Sequence, residues 1–198
     1  MRRGFCLFAV GGTIDAALRS LAERTLGHFM KLNPFAWTFR RQFLFGFLVS
    51  AALLAYAVFA QYGQMFEPCP LCIFQRVAMA ATAAVALLGA LHAPSTALGR
   101  RVYGLLAFFA AGTGAAIAGR HVWLQHLPPE QVPACGPGLS FMVESMPSYL
   151  DVVKKVLQGS GECAQVDWTF LGFSMPEWTL ACFVLLAAGA LHAGFKRR

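Results

Sequence analysis

Charge is what this chain has least of. Only 13% of its 198 residues are Asp, Glu, Lys or Arg, against about a quarter in an ordinary soluble domain. Acids are the scarcer sign, nine against sixteen bases. The shortage excludes a conventional water-facing surface over most of the molecule, and the hydrophobic share of 58% says where the missing surface goes. A net charge of +7 would suggest nucleic acid if it were spread evenly,. It is not, and nucleic-acid binding is not expected.

A bilayer core about 30 Å thick needs about 20 apolar residues per helix. Four stretches meet that length, at about 43–61, 71–91, 102–119 and 178–195. The second contains a single charge, Arg76. Soluble helices rarely run this long without a polar face. The expected fold is therefore an all-α membrane protein, a bundle of four transmembrane helices. Gly104, Gly112 and Gly114 in the third stretch suit close helix contacts in lipid,.

Orientation follows from Lys and Arg. Lys31, Arg40 and Arg41 precede the first stretch, Arg100 and Arg101 precede the third, and Lys196, Arg197 and Arg198 end the chain, with no acid among them. The two other connections, 62–70 and 120–177, hold Glu67, Glu130, Glu144, Asp151, Glu162, Asp167 and Glu177. Both termini are thus expected in the cytoplasm. Residues 1–41 read as a cytoplasmic extension and 42–198 as the membrane domain. Within the extension, Gly4 to Gly12 is apolar but too short to span, and Met30 is a candidate alternative start.

The long outer connection has internal order. Residues 127–138 are rich in Pro and Gly and carry Cys135. Ser148 then opens a short amphipathic helix, with Tyr149, Val152, Val153, Val156 and Leu157 on one face and Gly159 and Gly161 at its end,. Beside four spans, such a stripe is expected to lie in the membrane interface; packing on a soluble partner is the rival reading. Trp168, Phe170, Phe173 and Trp178 lead the chain back toward lipid,.

Four of the six cysteines fall on the outer side: Cys69 and Cys72 at the mouth of the second stretch, Cys135 and Cys163 in the long connection. Cys6 and Cys182 read as a reduced thiol and a small buried hydrophobe. In Cys69-Pro-Leu-Cys72, Pro70 suits the first helical position. Cys69 then sits near the N-cap and Cys72 in the first turn, where unpaired backbone N–H groups favour a thiolate, the form that exchanges disulfides. Arg76 lies one turn beyond Cys72 on the same face. It is placed to stabilise a Cys72 thiolate or the oxygen of a reduced acceptor, or else to anchor the helix at the interface. The pair is expected to be a redox-active disulfide, since a structural bridge over so short a gap would be strained and reducible. Half of a zinc site, with His121 and His126 as further ligands, is the rival, but no second closely spaced pair completes it; no metal is expected. Cys135 and Cys163 could staple the loop, or offer an accessible disulfide to an incoming thiolate.

Taken together, Cys69-Pro-Leu-Cys72-Ile-Phe-Gln-Arg76, the lone Cys135, Gly161-Glu-Cys163 and the run from Trp168 to Trp178 closely resemble the disulfide bond formation protein B family of bacterial inner-membrane proteins. The resemblance covers roughly residues 40–198. It implies a membrane thiol oxidoreductase with redox disulfides Cys69–Cys72 and Cys135–Cys163. It also implies a periplasmic thioredoxin-fold (DsbA-like) partner that the protein reoxidises, and ubiquinone or menaquinone as electron acceptor. Arg76 matches the family's quinone-site arginine. Met175 matches a pocket position, and the quinone-site histidine maps loosely to His126, with His121 its competitor. A metal-binding membrane protein using the Cys and His cluster is the alternative function.

Overall fold

The computed structural model describes residues 37–196 except 64, 66, 67, 137 and 167. The chain divides into Met1–Thr38, nearly all of it outside the described residues, and Phe39–Arg198. Expectations for Cys6, the apolar run near the N-terminus and Met30 lie outside the described residues. In the second unit, four long helices dominate: α1 (Phe39–Gly63), α2 (Pro70–His92), α3 (Ala97–Gln125) and α7 (Met175–Phe195). Their 25, 23, 29 and 21 residues make rods of about 30–44 Å at about 1.5 Å per residue. Each is long and apolar enough to cross a bilayer. The protein is an all-α, multi-pass membrane protein.

The helices overrun the apolar stretches. Helix α1 begins at Phe39 and takes in Arg40 and Arg41; α3 begins at Ala97, capped by Thr96 Oγ1, and takes in Arg100 and Arg101. Charge ends a membrane-buried segment but not a helix, because long basic side chains reach out to the interface. The overrun matters most at the other end of α3, which continues past Gly119 for more than a turn to Gln125. Arg120 and His121 are therefore helical rather than part of a loop. The helix stops before Pro128 and Pro129, which cannot continue it.

Helix α3 packs most extensively on α7, α1 packs on α2, and α2 packs on α3. Small residues make these approaches possible. The buried face of α3 reads Gly104, Ala107, Ala111, Gly114, Ala118, His121, Leu124, a three-and-four spacing that keeps one face toward its neighbours. A Cβ on Gly104 would come within 2.9 Å of Gly194 Cα, and one on Gly114 would run into the ring of Phe183, which is wholly buried. Gly112 differs from expectation: nothing lies within 4 Å of its Cβ position, so it faces away from these contacts. Polar side chains inside the bundle bond back to their own helix, Ser50 to Gly46 O and Thr82 to Ala78 O,. Leu48, Phe59, Val77, Leu88, Phe109 and Leu185 point outward and stay exposed, as lipid-facing residues do.

Between α3 and α7 the chain forms α4 (Leu139–Ser145), α5 (Tyr149–Gln158), α6 (Gly161–Ala164) and a two-stranded hairpin, β1 (Thr169–Phe170) and β2 (Phe173–Ser174). Ser148 caps α5 by accepting from Leu150 N–H, and Gly159 ends it at φ +84°. The apolar stripe of α5 is divided. Val152 and Val156 are buried with Leu71, Leu124, Met142 and Cys163, so this half packs on the end of the bundle. Tyr149, Leu150, Val153 and Leu157 stay exposed beside it. The hairpin turns through Leu171 and Gly172, both at positive φ, the backbone a two-residue hairpin requires. It groups Trp168, Phe170, Phe173 and Trp178 into one aromatic cluster, with Trp178 Nε1 donating to Phe170 O.

Candidate active site

Helix α2 starts where its sequence says it should. Pro70 occupies the first turn and Cys69 is the N-cap, its sulfur accepting from Cys72 N–H at 3.4 Å. The backbone dipole and free N–H groups of the first turn thus face Cys69 Sγ. Leu71, between the cysteines, is fully buried in the cluster under α5 and holds this turn against the loop.

The overrun of α3 brings His121 to the same place. It is the next member of the buried small-residue face, and it is 3% exposed. Its Nε2 lies 3.8 Å from Cys69 Sγ and its Nδ1 4.0 Å from Cys72 Sγ, so each ring nitrogen faces one of the two sulfurs. Gln75, also buried, holds Nδ1 at 3.0 Å through its side-chain amide.

Cys163 arrives from the loop. Helix α6 places it 1% exposed, with its N–H on Ser160 O and its sulfur 3.7 Å from Ser160 Oγ. Its sulfur, that of Cys69 and a ring nitrogen of His121 lie within 4.8 Å of one another. The hydrogen bond to Cys69 first, and burial second, hold the Cys163 thiol well above the ordinary thiol range. In the reduced protein Cys163 therefore keeps its proton and donates it toward Cys69. Cys135, by contrast, is exposed. Its segment is tied to α6 by Gly161 N–H on Ala134 O, and Cys135 Sγ lies 3.2 Å from where a Gly161 Cβ would stand. A cavity of about 210 Å³ is lined in part by Cys135, Cys163, Pro70, Lys155 and Ser160. The geometry thus runs from an exposed sulfur through a buried one to a helix N-cap.

A family model described as disulfide bond formation protein DsbB matches residues 39–193. The chain belongs to this family. Relatives named disulfide bond formation protein B include one from Xanthomonas euvesicatoria, 56% identical over 167 residues, which are 84% of this chain and 96% of that one. One from Methylococcus capsulatus is 55% identical over 152 residues, 77% of this chain and 92% of its own. One from Xylella fastidiosa is 47% identical over 165 residues, 83% and 95% respectively. As a family member, the protein is a disulfide-forming oxidoreductase of the membrane.

The remaining sequence candidates fall in different surroundings. Arg76 lies one turn beyond Cys72, with its guanidinium directed to Gln61 Oε1 and, at 3.0 Å, to Ala57 O, both on α1. These two contacts tie the C-terminal end of α1 to the N-terminal end of α2. His126 is 67% exposed in its side chain and stands 4.0 Å from Glu177 at the surface, away from the sulfurs. Met175 is the first residue of α7, half-buried, next to Ser174, which donates its hydroxyl to Gln125 and its N–H to Glu177. Cys182 is half-buried within α7. Gln75 escaped the sequence reading, although a lone amide three residues after Cys72 in an apolar span is a visible signal. The spacing of the small residues on α3 was the signal for His121: three residues past Ala118 continues the buried face, and His126 falls off it.

Proposed function

We propose that this protein reoxidises a periplasmic thioredoxin-fold dithiol oxidase of the DsbA kind and passes the electrons to a membrane quinone. The observation that carries the reading is the meeting of Cys69, Cys163 and His121 at the outer end of the bundle, with exposed Cys135 leading in. The redox pairs are Cys135–Cys163 and Cys69–Cys72. A partner thiolate attacks Cys135 Sγ, forming a mixed disulfide and releasing Cys163 as thiolate. Cys163 attacks Cys69 Sγ, the nearer sulfur, and Cys72 leaves as thiolate. The partner's second thiol then resolves its own mixed disulfide and leaves oxidised. The freed Cys135 thiolate attacks Cys163, restoring that pair and leaving Cys69 and Cys72 as the dithiol. Two electrons have moved from the partner to the membrane-side pair.

The residues around Cys72 fit a quinone. A quinone ring needs donors for its carbonyl oxygens in otherwise apolar surroundings. Arg76 carries five N–H donors, more than its contacts to α1 use, and Gln75 and His121 add two polar groups in spans that are otherwise apolar. The quinone, ubiquinone or menaquinone, supplies acceptance of two electrons and two protons. Arg76 and His121 would hold it beside Cys72, with His121 taking the role first assigned to His126; Met175 would flank it. Within this reading the loops 62–70 and 120–177 are periplasmic, both termini cytoplasmic, and the membrane the bacterial inner membrane.

The test is quinone reduction, followed optically, when the purified full chain meets a reduced thioredoxin-fold partner. Cys69→Ser, Cys72→Ser, Cys135→Ser and Cys163→Ser should each abolish turnover. Full turnover by Cys72→Ser would sink the assignment.

A further inference from the structure

Cys69 and Cys163 belong to different disulfides in the proposed cycle, yet their sulfurs meet at one imidazole. We propose that the reduced protein binds one soft divalent metal ion, zinc or cadmium, through Cys69 Sγ, Cys163 Sγ and a ring nitrogen of His121. The three ligand atoms lie within 4.8 Å of one another. Tetrahedral zinc, with bonds of about 2.3 Å to sulfur and about 2.0 Å to nitrogen, needs ligand atoms about 3.5–3.8 Å apart. Cys69 Sγ and His121 Nε2 stand at 3.8 Å, so that edge of the tetrahedron exists before any ion arrives.

Each ligand is held by its own element. Cys69 is fixed as the N-cap of α2, His121 by the buried face of α3, and Cys163 by its backbone bond to Ser160. Gln75 Nε2 stands 3.0 Å from His121 Nδ1; with His121 Nε2 on the ion, Nδ1 carries the ring proton, and the Gln75 amide turns over to accept it through Oε1, the outer partner that metal-bound histidines usually have. Two thiolates neutralise a divalent ion, so the site carries no net charge into its apolar surroundings. The cavity lined by Cys135 and Cys163 gives an entry route on the Cys163 side of the site,. Binding releases two thiol protons, and either native disulfide removes a ligand. The ion and the relay are therefore mutually exclusive, and metal would trap the protein in its reduced state whenever the acceptor runs short. This redox dependence rests on the disulfide pairs proposed above; the site itself rests on the geometry.

The experiment is titration of the anaerobically reduced full chain in detergent with cadmium, read by the ultraviolet sulfur-to-cadmium charge-transfer band. The expected result is one ion per chain, a band lost in Cys69→Ser and Cys163→Ser, and a band kept in Cys135→Ser. His121→Ala should weaken binding by more than about 100-fold, since losing a mere outer partner costs about 10–100-fold; Gln75→Ala should fall in that lower range. X-ray absorption of the zinc-loaded native chain should show two sulfurs and one imidazole nitrogen, a readout independent of any variant. No band in the reduced protein, a band unchanged in Cys163→Ser, or a shell of sulfur alone would overturn the proposal. A band present equally after oxidation would overturn the redox dependence and the disulfide pairing with it. Failure to reduce quinone, with the band intact, would count only against the proposed cycle.

Discussion

The bundle and the long loop between α3 and α7 are built on opposite principles. In the bundle, helices approach through residues that have almost no side chain: Gly104 meets the Gly194 backbone and Gly114 meets the Phe183 ring. Such contacts tolerate no added atom, and they fix α3 against α7. In the loop, short helices are held by a few large side chains and by single polar bonds. Val152 and Val156 sit with Leu124. Arg120, stacked over Trp123, donates to the last carbonyls of α5 at Leu157 and Gln158. The difference leaves Cys135 exposed in a lightly anchored cap and Cys163 buried against a rigid base; in the proposed relay the cap delivers electrons and the base receives them.

That contrast can be broken at the bundle first. Gly114→Leu should cost about 3 kcal/mol or more, because the Phe183 ring has nowhere to move. Loss of the monodisperse peak on size-exclusion chromatography in detergent would show it, while Gly112→Ala should elute unchanged. Next comes the joint between the two regions. Leu124→Ala should weaken the cap by about 2–4 kcal/mol, speeding proteolysis between 126 and 174 while the four spans stay intact. Equal loss of the spans would show that cap and bundle unfold as one.

Smaller changes sharpen the comparison within the loop. A Gly161→Ala Cβ would stand 2.8 Å from Pro133 O, pushing the Cys135 segment off α6. If the proposed cycle holds, rates of electron transfer from partner to quinone should fall about tenfold or more, as small misplacements of reacting groups cause. Arg120→Gln removes the cap of α5 and should cost the loop about 1–2 kcal/mol, read as faster amide exchange at 149–158 alone. The smallest effect concerns pH. The folded Cys163 thiol lies above its unfolded value. Its contribution to stability is whole below the ordinary thiol range of about 8.5 and is lost as pH rises toward the folded value. The reduced protein should therefore unfold more readily in alkali, and Cys163→Ser should flatten that slope. In the same protein, alkylation of Cys163 should need pH above the ordinary thiol range,.

Much of the site was legible because its signals are local. Pro70 after Cys69 marks a helix start by its missing N–H, and the structure has Cys69 as the N-cap there. The apolar runs mark the spans by length, although they understate the helices, because hydropathy reports lipid contact and not backbone hydrogen bonding. His121 was harder to choose than His126 because both follow the third apolar run, and the deciding clue was the phase of Ala118, Gly114 and Ala111 rather than any motif. The hairpin at Leu171-Gly172 gave little warning, since Leu rarely adopts positive φ.

By itself the sequence determined the four spans, the all-α class, the position of Cys69 at a helix N-terminus and the exposure of Cys135 in a Pro-rich segment. These follow from composition and from interactions within a few residues. Only the tertiary structure decided that Cys163 is buried beside Cys69, that His121 meets both the Cys69 and Cys72 sulfurs, and that Arg76 ties α2 to α1. Those facts depend on which helix faces pack and on how far α3 continues beyond the apolar run, and both are set by contacts between residues far apart in the chain.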